Sequence, residues 1–342
     1  MWEGDAVATS QVTASNVRGG GRDVPLRFGW RLPMWDPFGA QATSWLPGVR
    51  ANLAALRGKY DSVWLSDHFV PGTRWMPPEP DTLECWTATV HFSAQFPEYQ
   101  YGQIVMGNNY RQPSLLAKAA STMQVLTGGK LILGIGAGWM ESEYRMYGYE
   151  MPRPAIRIQQ LDEACQIFRK MWTESPASFQ GRHYTLDEAY ANPLPTPIPP
   201  ICIGGSGEQL TMRVIAKHAD MWESGSQPLP EYQRKTNVLA EHCDAVGRDP
   251  SSILHVWQCQ VVSLADSEAE ARAIAEKNPL YHNTSEDNRL IGTPEQILEK
   301  LEGRMDIGVR HFVVRFMDFP QTDMALRFAT EVAPALRRRH GI

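Results

Sequence analysis

The stretch Leu131-Ile-Leu-Gly-Ile-Gly-Ala-Gly-Trp139 is a short apolar run that breaks into glycines just before a segment with helical spacing. A second stretch, Pro199-Pro-Ile-Cys-Ile-Gly-Gly-Ser-Gly207, repeats this arrangement. Glycines at a strand end let backbone N–H groups approach an anion at the N-terminus of the following helix. Two such strand ends predict an α/β protein that binds a large phosphorylated cofactor.

Strand-like and helix-like segments alternate from Pro25 almost to the end of the 342-residue chain. Apolar strand interiors are typical of a parallel sheet that is buried on both faces. Eight strand–helix units favour a single (β/α)8 TIM barrel, whose active site lies at the C-terminal ends of its strands. A doubly wound sheet is the alternative, because periodicity does not separate the two folds. The predicted strands cover residues 26–30, 62–66, 100–106, 131–135, 200–203, 219–222, 254–262 and 311–316, and the predicted helices cover residues 47–57, 113–126, 156–173, 208–218, 231–246, 267–276, 294–305 and 324–338.

Two long connections interrupt the alternation, residues 71–84 after the second strand and residues 278–292 after the seventh. Loops longer than about 12 residues are uncommon unless they are functional, so we assign both insertions to the substrate side of the barrel mouth. Residues 1–24 are rich in Gly, Ser, Thr and Ala and are predicted to form a mobile extension. Residues 25–342 then form one barrel domain.

Composition narrows the class of partner. The formal net charge is −5 and no long basic run or aromatic–basic stripe occurs, which argues against nucleic acid or an anionic membrane as the main partner. The five cysteines are odd in number and scattered, and neither they nor the histidines have metal-site spacing, so we predict a reducing cytoplasm and no metal. No apolar stretch reaches membrane-spanning length, and no signal peptide is recognisable. The expected ligand is a small molecule.

Asp67 and His68 directly follow the second predicted strand, where a barrel directs side chains into its catalytic end. An imidazole there can transfer a proton or contact a cofactor ring, and the adjacent carboxylate can orient it. A helix cap with a packed histidine is the structural alternative. Asn108 follows the third strand and is a further ligand candidate, although Asn108 and Asn109 also suit a simple turn.

The two glycine segments differ in how well they suit a phosphate. Residues 134–139 carry glycines too closely spaced for the G-x-G-x-x-G dinucleotide fingerprint, and we interpret Glu141 and Glu143 beyond them as caps of a helix start. Gly204-Gly-Ser-Gly207 is the stronger candidate, because a clear helical pattern follows and Ser206 adds a hydroxyl donor. The sequence contains no G-x-S-x-G elbow, no H-E-x-x-H and no Walker loop, so hydrolase and kinase functions lack support.

Taken together, several motifs in this order resemble the bacterial luciferase-like monooxygenase superfamily, and within it most closely the branch of deazaflavin (coenzyme F420) dependent oxidoreductases. The resemblance extends from about Leu26 to Phe319, and it depends on the joint order and spacing of the motifs. The motifs are Ser66-Asp-His-Phe69, Leu83-Glu-Cys-Trp86, Tyr110-Arg-Gln-Pro113, Leu116-Ala-Lys-Ala-Ala120, Gly129-Lys-Leu-Ile-Leu-Gly-Ile-Gly-Ala-Gly-Trp139, Glu143-Tyr-Arg-Met-Tyr-Gly148, Pro200-Ile-Cys-Ile-Gly-Gly205 and Ala219-Asp-Met-Trp222.

This resemblance implies a barrel with a flavin-like ring across its C-terminal mouth, and it assigns residues to that ring. Asp67 and His68 match the pair that contacts the ring. A bulge with a non-proline cis peptide, which supports the ring, is expected at Val105, Met106 and Gly107, next to Asn108. The first cofactor loop is Gly136, Ala137, Gly138 and Trp139, and the phosphate loop is Gly204, Gly205, Ser206 and Gly207.

Departures from the family pattern bear on the substrate. Several deazaflavin members have a glutamate, an acid candidate in sugar-phosphate oxidation, where this chain has Trp139, which puts that substrate class in doubt. Trp75, Met76 and Tyr281 in the long connections suggest an apolar or ring-containing substrate instead.

Three functions remain open from the sequence. The first is hydride transfer between coenzyme F420 and a small organic substrate, with His68 as proton donor or ring partner. The second is an FMN-dependent monooxygenase supplied by a separate flavin reductase, since FMN also activates oxygen. The third is a non-catalytic flavin-binding protein. The long anionic tail of the deazaflavin needs basic surface, for which Arg74, Arg111, Arg145 and Arg153 are candidates. We also expect a homodimer.

Overall fold

The computed structural model of the protein describes residues 24–72 and 76–341. The predicted N-terminal extension therefore lies outside the described residues except for Val24. Thr73, Arg74 and Trp75 of the first long connection lie outside them as well, so the roles predicted for Arg74 and Trp75 stay predictions. No helix among the described residues is long and apolar enough to cross a membrane.

Eight strands of the described residues form a closed parallel barrel. In chain order, all the strands are β1 (Arg27–Arg31), β2 (Ser62–Leu65), β3 (Gln100–Gln103), β4 (Met106–Gly107), β5 (Leu131–Gly136), β6 (Ala177–Gln180), β7 (Thr185–Ala189), β8 (Ile201–Gly204), β9 (Met221–Glu223), β10 (Leu254–Leu264), β11 (Arg289–Gly292) and β12 (Val309–Phe316). The ring runs β10, β12, β1, β2, β3, β5, β8 and β9, and it closes because β9 pairs in parallel with β10. The predicted (β/α)8 barrel is confirmed, and the doubly wound sheet is excluded.

Helices cover the outside of the ring. They are α1 (Ala42–Ala55), α2 (Cys85–Gln95), α3 (Pro113–Leu126), α4 (Glu141–Met146), α5 (Pro154–Thr173), α6 (Thr211–His218), α7 (Leu229–Ala245), α8 (Glu268–Ala275), α9 (Pro279–His282), α10 (Pro294–Asp306), α11 (Asp323–Arg327) and α12 (Ala333–Arg339), the last two being joined by a π-helical turn at Phe328–Val332. Residues 113–126 were predicted without error, because Pro113 occupies the first turn and an apolar stripe follows. The prediction missed α2, whose start is set by the Glu84 side chain, which accepts hydrogen bonds from the N–H groups of Trp86 and Thr87.

The connections partly follow the prediction. Residues 66–84 after β2 contain neither helix nor strand in their described part. Residues 278–292 after β10 hold α9 and β11 instead of a plain loop, and β11 pairs in parallel with β10 on the outside of the ring. A further excursion between α5 and β8 was not predicted, and it contains the antiparallel hairpin of β6 and β7.

Trp64 of β2 fills the barrel interior. Its side chain is fully buried, and a Cβ on Gly29 of β1 or on Gly102 of β3 would lie 2.6 or 2.7 Å from its ring. Both neighbours of β2 must therefore carry glycine at the height of this ring. Around Trp64, side chains from other strands complete an apolar plug, and a cavity lies beyond it at the C-terminal ends of the strands. The plug contains Ile104, Ile132, Cys202, Met221, Val256 and Val313.

Candidate active site

A cavity of about 420 Å³ lies at the C-terminal ends of the barrel strands. This is where a barrel of this class carries its chemistry, because loops from every strand converge there. Eleven of the predicted site residues line it: Asp67, His68, Val105, Met106, Gly107, Gly136, Ala137, Gly138, Trp139, Gly204 and Gly205.

Three predicted residues do not line this cavity. The Asn108 amide nitrogen donates to the Tyr184 hydroxyl at 3.2 Å, so this side chain is directed to the hairpin excursion. The carbonyl oxygen of Ser206 accepts from Nζ of Lys235 at 3.2 Å. Gly207 is exposed beyond the rim. These positions flank the cavity, and their predicted part in cofactor binding stays a prediction.

Asp67 is held by a guanidinium and a backbone N–H. Its two oxygens accept from Arg111 at 2.8 and 2.9 Å, and Oδ2 also accepts from the N–H of Gly107 at 2.9 Å. Burial opposes the charge on Arg111, but the hydrogen bonds with Asp67 raise the pKa of Arg111 above its ordinary value. With both oxygens occupied, Asp67 joins the end of β2 to β4 and acts by positioning. Arg111, paired with Asp67 and Glu84, is thereby removed from the candidates for the cofactor tail.

His68 is held by Glu143. Both carboxylate oxygens of Glu143 lie 3.2 Å from Nδ1 of His68, and the same carboxylate accepts from the N–H of Phe69 at 2.9 Å and from the Tyr110 hydroxyl at 3.1 Å. The Glu143 side chain is buried, and that of His68 is 13% exposed. Because Glu143 engages Nδ1, chemistry with a ligand falls to Nε2.

Glu143 is the functional residue that sequence reasoning misjudged. We interpreted Glu141 and Glu143 as caps, but Met140 is the N-cap of α4 and no side chain caps this helix. The Glu143 side chain turns into the site instead. The motif Glu143-Tyr-Arg-Met-Tyr-Gly148 indicated this role, because a carboxylate that is buried among aromatic side chains needs hydrogen-bond donors from other parts of the fold.

The indoles of Trp139 and Trp35 pack edge-on against His68. The ring centroids of Trp139 and Trp35 lie 5.8 and 6.3 Å from that of His68. Trp35 is buried, whereas Trp139 is 52% exposed at the rim. Trp139 can therefore flank a bound ring, while Trp35 supports the imidazole from below.

Val105 lies under the cavity between the two glycine segments. The peptide bond between Ile104 and Val105 is cis, one residue before the predicted bulge, and it separates β3 from β4. A Cβ on Gly204 or Gly136 would lie 2.5 or 2.9 Å from Cγ2 of Val105. The glycines at the ends of β5 and β8 therefore leave room for Val105, and these three residues form a smooth floor.

Only the second glycine segment leads into a helix start that suits an anion. The first turn of α4 contains Glu141 and Glu143, which disfavours a phosphate there. The first turn of α6 contains no acidic residue, and its first residue, Thr211, lines the cavity. This helix begins at Thr211, three residues later than predicted. The N–H of Gly205 donates to the carbonyl oxygen of Glu223 at 2.9 Å, so it is not available to a phosphate. Gly205 instead allows the backbone to turn here with φ +142°.

Three buried polar residues at the inner end of the cavity were not predicted. Arg31 donates to Oε1 of Gln258, and Nε2 of Gln258 donates to Oε1 of Glu223 at 3.0 Å. Burial raises the pKa of Glu223 to about 7 and lowers the pKa of Arg31 to about 10. Arg31 and Glu223 end β1 and β9, and our predicted strands stopped one residue before each of them.

A metal-dependent site has no support in the described part of the chain, where no group of three His, Cys, Asp or Glu side chains could hold an ion. A parallel barrel with a histidine and a glycine-lined floor at its strand ends defines an enzyme that binds a flat cofactor ring. Residues 39–289 match the family of luciferase-like monooxygenases. The chain belongs to this family and is an oxidoreductase.

Individual relatives differ in their chemistry. An F420-dependent glucose-6-phosphate dehydrogenase of Microbacterium testaceum is 25% identical, with 92% of this chain and 99% of the relative covered. An F420-dependent secondary alcohol dehydrogenase, solved with an F420–acetone adduct, superposes with a TM-score of 0.76 at 19% identity, over 92% and 100% of the two chains. A long-chain alkane monooxygenase superposes with a TM-score of 0.73 at 14% identity, over 92% of each chain. These two structural likenesses support the fold.

Proposed function

We propose that the protein is a coenzyme F420-dependent oxidoreductase that moves a hydride between the deazaflavin and a small organic substrate. The observation that carries the proposal is His68, held at Nδ1 by the buried Glu143 beside a smooth floor of Val105, Gly136 and Gly204. Curated relatives similar over almost their whole length are F420-dependent dehydrogenases, which supports the deazaflavin over FMN.

The cavity fits such a cofactor. A side chain at Gly136 or Gly204 would displace Val105 and raise the floor, so the glycines preserve a flat surface for a ring. Thr211, the first residue of α6, lines the cavity, so the N-terminus of this helix lies where a phosphate can bind. Arg157 is mostly buried, lines the cavity and donates to the carbonyl oxygen of Ala137 at 3.2 Å, which places a cation near the first glycine loop. The deazaflavin supplies hydride chemistry without oxygen activation.

His68 handles the proton that accompanies the hydride. When a carbinol substrate gives up a hydride from carbon, its hydroxyl proton has to leave, and in the reverse direction a carbonyl oxygen has to gain one. Nε2 of His68 accepts or donates that proton, because Nδ1 is engaged by Glu143. The negative charge of Glu143 stabilises the imidazolium that forms.

The substrate of this protein need not be the substrate of its relatives. Trp139 and Trp35 pack against His68, so aromatic rings border the imidazole that Glu143 holds. This setting favours a less polar substrate than glucose 6-phosphate, the substrate in the name of the relatives.

Titration of the purified protein with F420 and with FMN, followed by fluorescence quenching, tests the cofactor. We expect F420 to bind at least about a hundredfold more tightly than FMN. Equal or tighter FMN binding would overturn the proposal in favour of a monooxygenase, which would also need a flavin reductase. Binding of F420 without turnover on any alcohol or carbonyl compound would leave a non-catalytic binding protein.

The assembly and the compartment are part of the proposal. Val90 of α2 and Leu115, Val125 and Leu126 of α3 are exposed apolar side chains on adjacent helices. A homodimer that buries this face would remove them from water. All five cysteines are buried and unbridged, which supports a reducing cytoplasm.

A further inference from the structure

Arg31 carries an incompletely satisfied charge at the inner end of the cavity. Its side chain is 5% exposed, and its Nε is buried without a hydrogen-bond partner. The guanidinium donates to the neutral amide oxygen of Gln258, and one Nη lies 3.5 Å from the Ser66 hydroxyl. Among the described residues, no carboxylate lies within ion-pair distance of Arg31. Nε itself is enclosed by protein, but Arg31 lines the cavity, so a ligand there can meet the guanidinium. A buried cation without an ion-pair partner is costly unless a ligand supplies an anion.

We propose that Arg31 binds the carboxylate of an organic-acid substrate at the inner end of the cavity. The inference rests on the proposed function, since the acid is the substrate that would meet the cofactor. A guanidinium is suited to this task, because it is planar, always charged and able to present several donors to a carboxylate.

The charges around Arg31 support an anion. Arg315 of β12 is a second buried guanidinium. Its pKa is lowered to about 9, mainly by burial and to a smaller extent by the charge of Arg31. Asp36 faces Arg315 and Cys259 faces Arg31. Burial raises the pKa of Glu223 to about 7, so near neutral pH this carboxyl is partly protonated. The two guanidinium charges therefore exceed the negative charge of the carboxylates near them. A bound carboxylate would neutralise the excess positive charge.

The location connects Arg31 with the reacting histidine. Ser66, which lies beside the guanidinium, immediately precedes Asp67 and His68 in the chain. A carboxylate on Arg31 therefore anchors one end of a substrate next to the strand end that presents His68. Gln258 bridges Arg31 to Glu223, so the bound acid and Glu223 are neighbours that disfavour each other's negative charge.

The experiment compares acids with their neutral amides on the F420-loaded protein. Calorimetry at pH 6.0 and 8.0 measures binding of acetate, benzoate and phenylacetate against acetamide, benzamide and phenylacetamide. We expect at least one acid to bind about tenfold or more tightly than its amide at pH 6.0. If no acid exceeds its amide by more than twofold, the proposal is overturned, whether or not any variant folds.

Variants sharpen this comparison. Arg31→Met should abolish the preference for acids, whereas Arg50→Met, at an exposed position on α1, should retain it. Glu223→Gln removes the competing charge and should tighten acid binding at pH 8.0 by about tenfold, to the level at pH 6.0. An unchanged affinity in Glu223→Gln, or an intact preference in Arg31→Met, contradicts the proposal.

The two proposals fail separately. F420 affinity is measured first on each protein, and a parent protein that does not bind F420 contradicts the proposed function. Normal F420 affinity without a preference for acids contradicts only the role proposed for Arg31.

Discussion

The carboxylate of Glu143 lies 3.2 Å from Nδ1 of His68 although 75 residues separate them in the chain. The N–H of Phe69 and the hydroxyl of Tyr110 donate to the same carboxylate, so donors from two strand ends converge on α4. A buried carboxylate on one imidazole nitrogen fixes the orientation of the ring. His68 is thereby prepared to exchange a proton through its other nitrogen.

Replacing Glu143 by Gln tests this arrangement. The amide keeps the size of the side chain but removes the charge that stabilises the imidazolium, so we expect turnover to fall at least about tenfold. F420 affinity should stay within about twofold of the parent. The control is Glu141→Gln, on the exposed face of the same helix. Turnover equal to that of the parent would show that Glu143 acts by packing alone.

His68→Ala separates rate from affinity. Proton transfer by a positioned side chain typically contributes about 10²- to 10⁴-fold to the rate, whereas one lost hydrogen bond costs only about 1 kcal/mol of affinity. Single-turnover hydride transfer should slow by that factor, while the F420 dissociation constant rises by less than about tenfold. Equal rates in parent and variant would reduce His68 to a packing residue.

The positions of the barrel strands could be predicted from the sequence because each strand is a short, contiguous run of apolar residues. Apolar runs at regular spacing predict all eight strands of the ring, and the majority of the predicted strand ends lie within two residues of the observed ones, as in β2 and β8. The helix α2 escaped prediction because Cys85–Gln95 mixes aromatic and β-branched residues with polar ones and carries only a weak stripe. Its start depends on a side-chain cap, which periodicity does not register.

The site was predictable only where it is contiguous in sequence. Asp67-His68 and the two glycine segments were found because they sit at strand ends. Glu143, Arg31 and Glu223 were not found, because their roles depend on partners 33 or more residues away. An isolated acid or arginine at a strand end carries no sign of what it will face, and only the closed ring brings these side chains together.

Acid should destabilise the protein through buried histidines. Burial, with a smaller effect of Arg310, lowers the pKa of His255 to about 3. The unfolded chain binds a proton at His255 below about pH 6.5 and the folded chain does not, so stability falls as pH decreases from 6.5 towards 3, by up to about 1.4 kcal/mol per pH unit. His255→Phe keeps the ring contacts with Trp222 and Tyr232.

Urea unfolding of this variant between pH 7 and 4 should therefore show a shallower loss of stability than the parent. His91→Phe, at an exposed position on α2, is the matched control and should keep the slope of the parent. A parent-like slope in His255→Phe would mean that His255 takes up its proton in the folded state.

The apolar face of α2 and α3 predicts how the protein assembles. Leu126 is 81% exposed near Val90, and a charge placed there would be buried without a partner in a dimer. Leu126→Glu should therefore give a monomer by light scattering at micromolar concentration, where the parent gives a dimer. Tyr190→Glu, at a position that is 58% exposed near the hairpin excursion, should remain dimeric. A monomeric parent would contradict the prediction at once.

Thr211 at the start of α6 tests where the cofactor phosphate binds. Gly205 is a poor choice for this test, because its φ of +142° and the Cβ position 2.8 Å from Cγ2 of Thr211 would strain the backbone in any variant. Thr211→Asp avoids this strain, and a carboxylate in the first turn of a helix is favourable by about 0.3–1 kcal/mol. The same carboxylate repels a phosphate bound at this helix start. Thr211 is buried, so lost hydration of the carboxylate offsets this gain, and the melting temperature is measured as a check of folding. We expect the F420 dissociation constant to rise at least about tenfold. Thr211→Asn has the same size without the charge and should bind F420 almost like the parent. If Thr211→Asp and Thr211→Asn bind F420 equally well, the phosphate lies elsewhere on the rim.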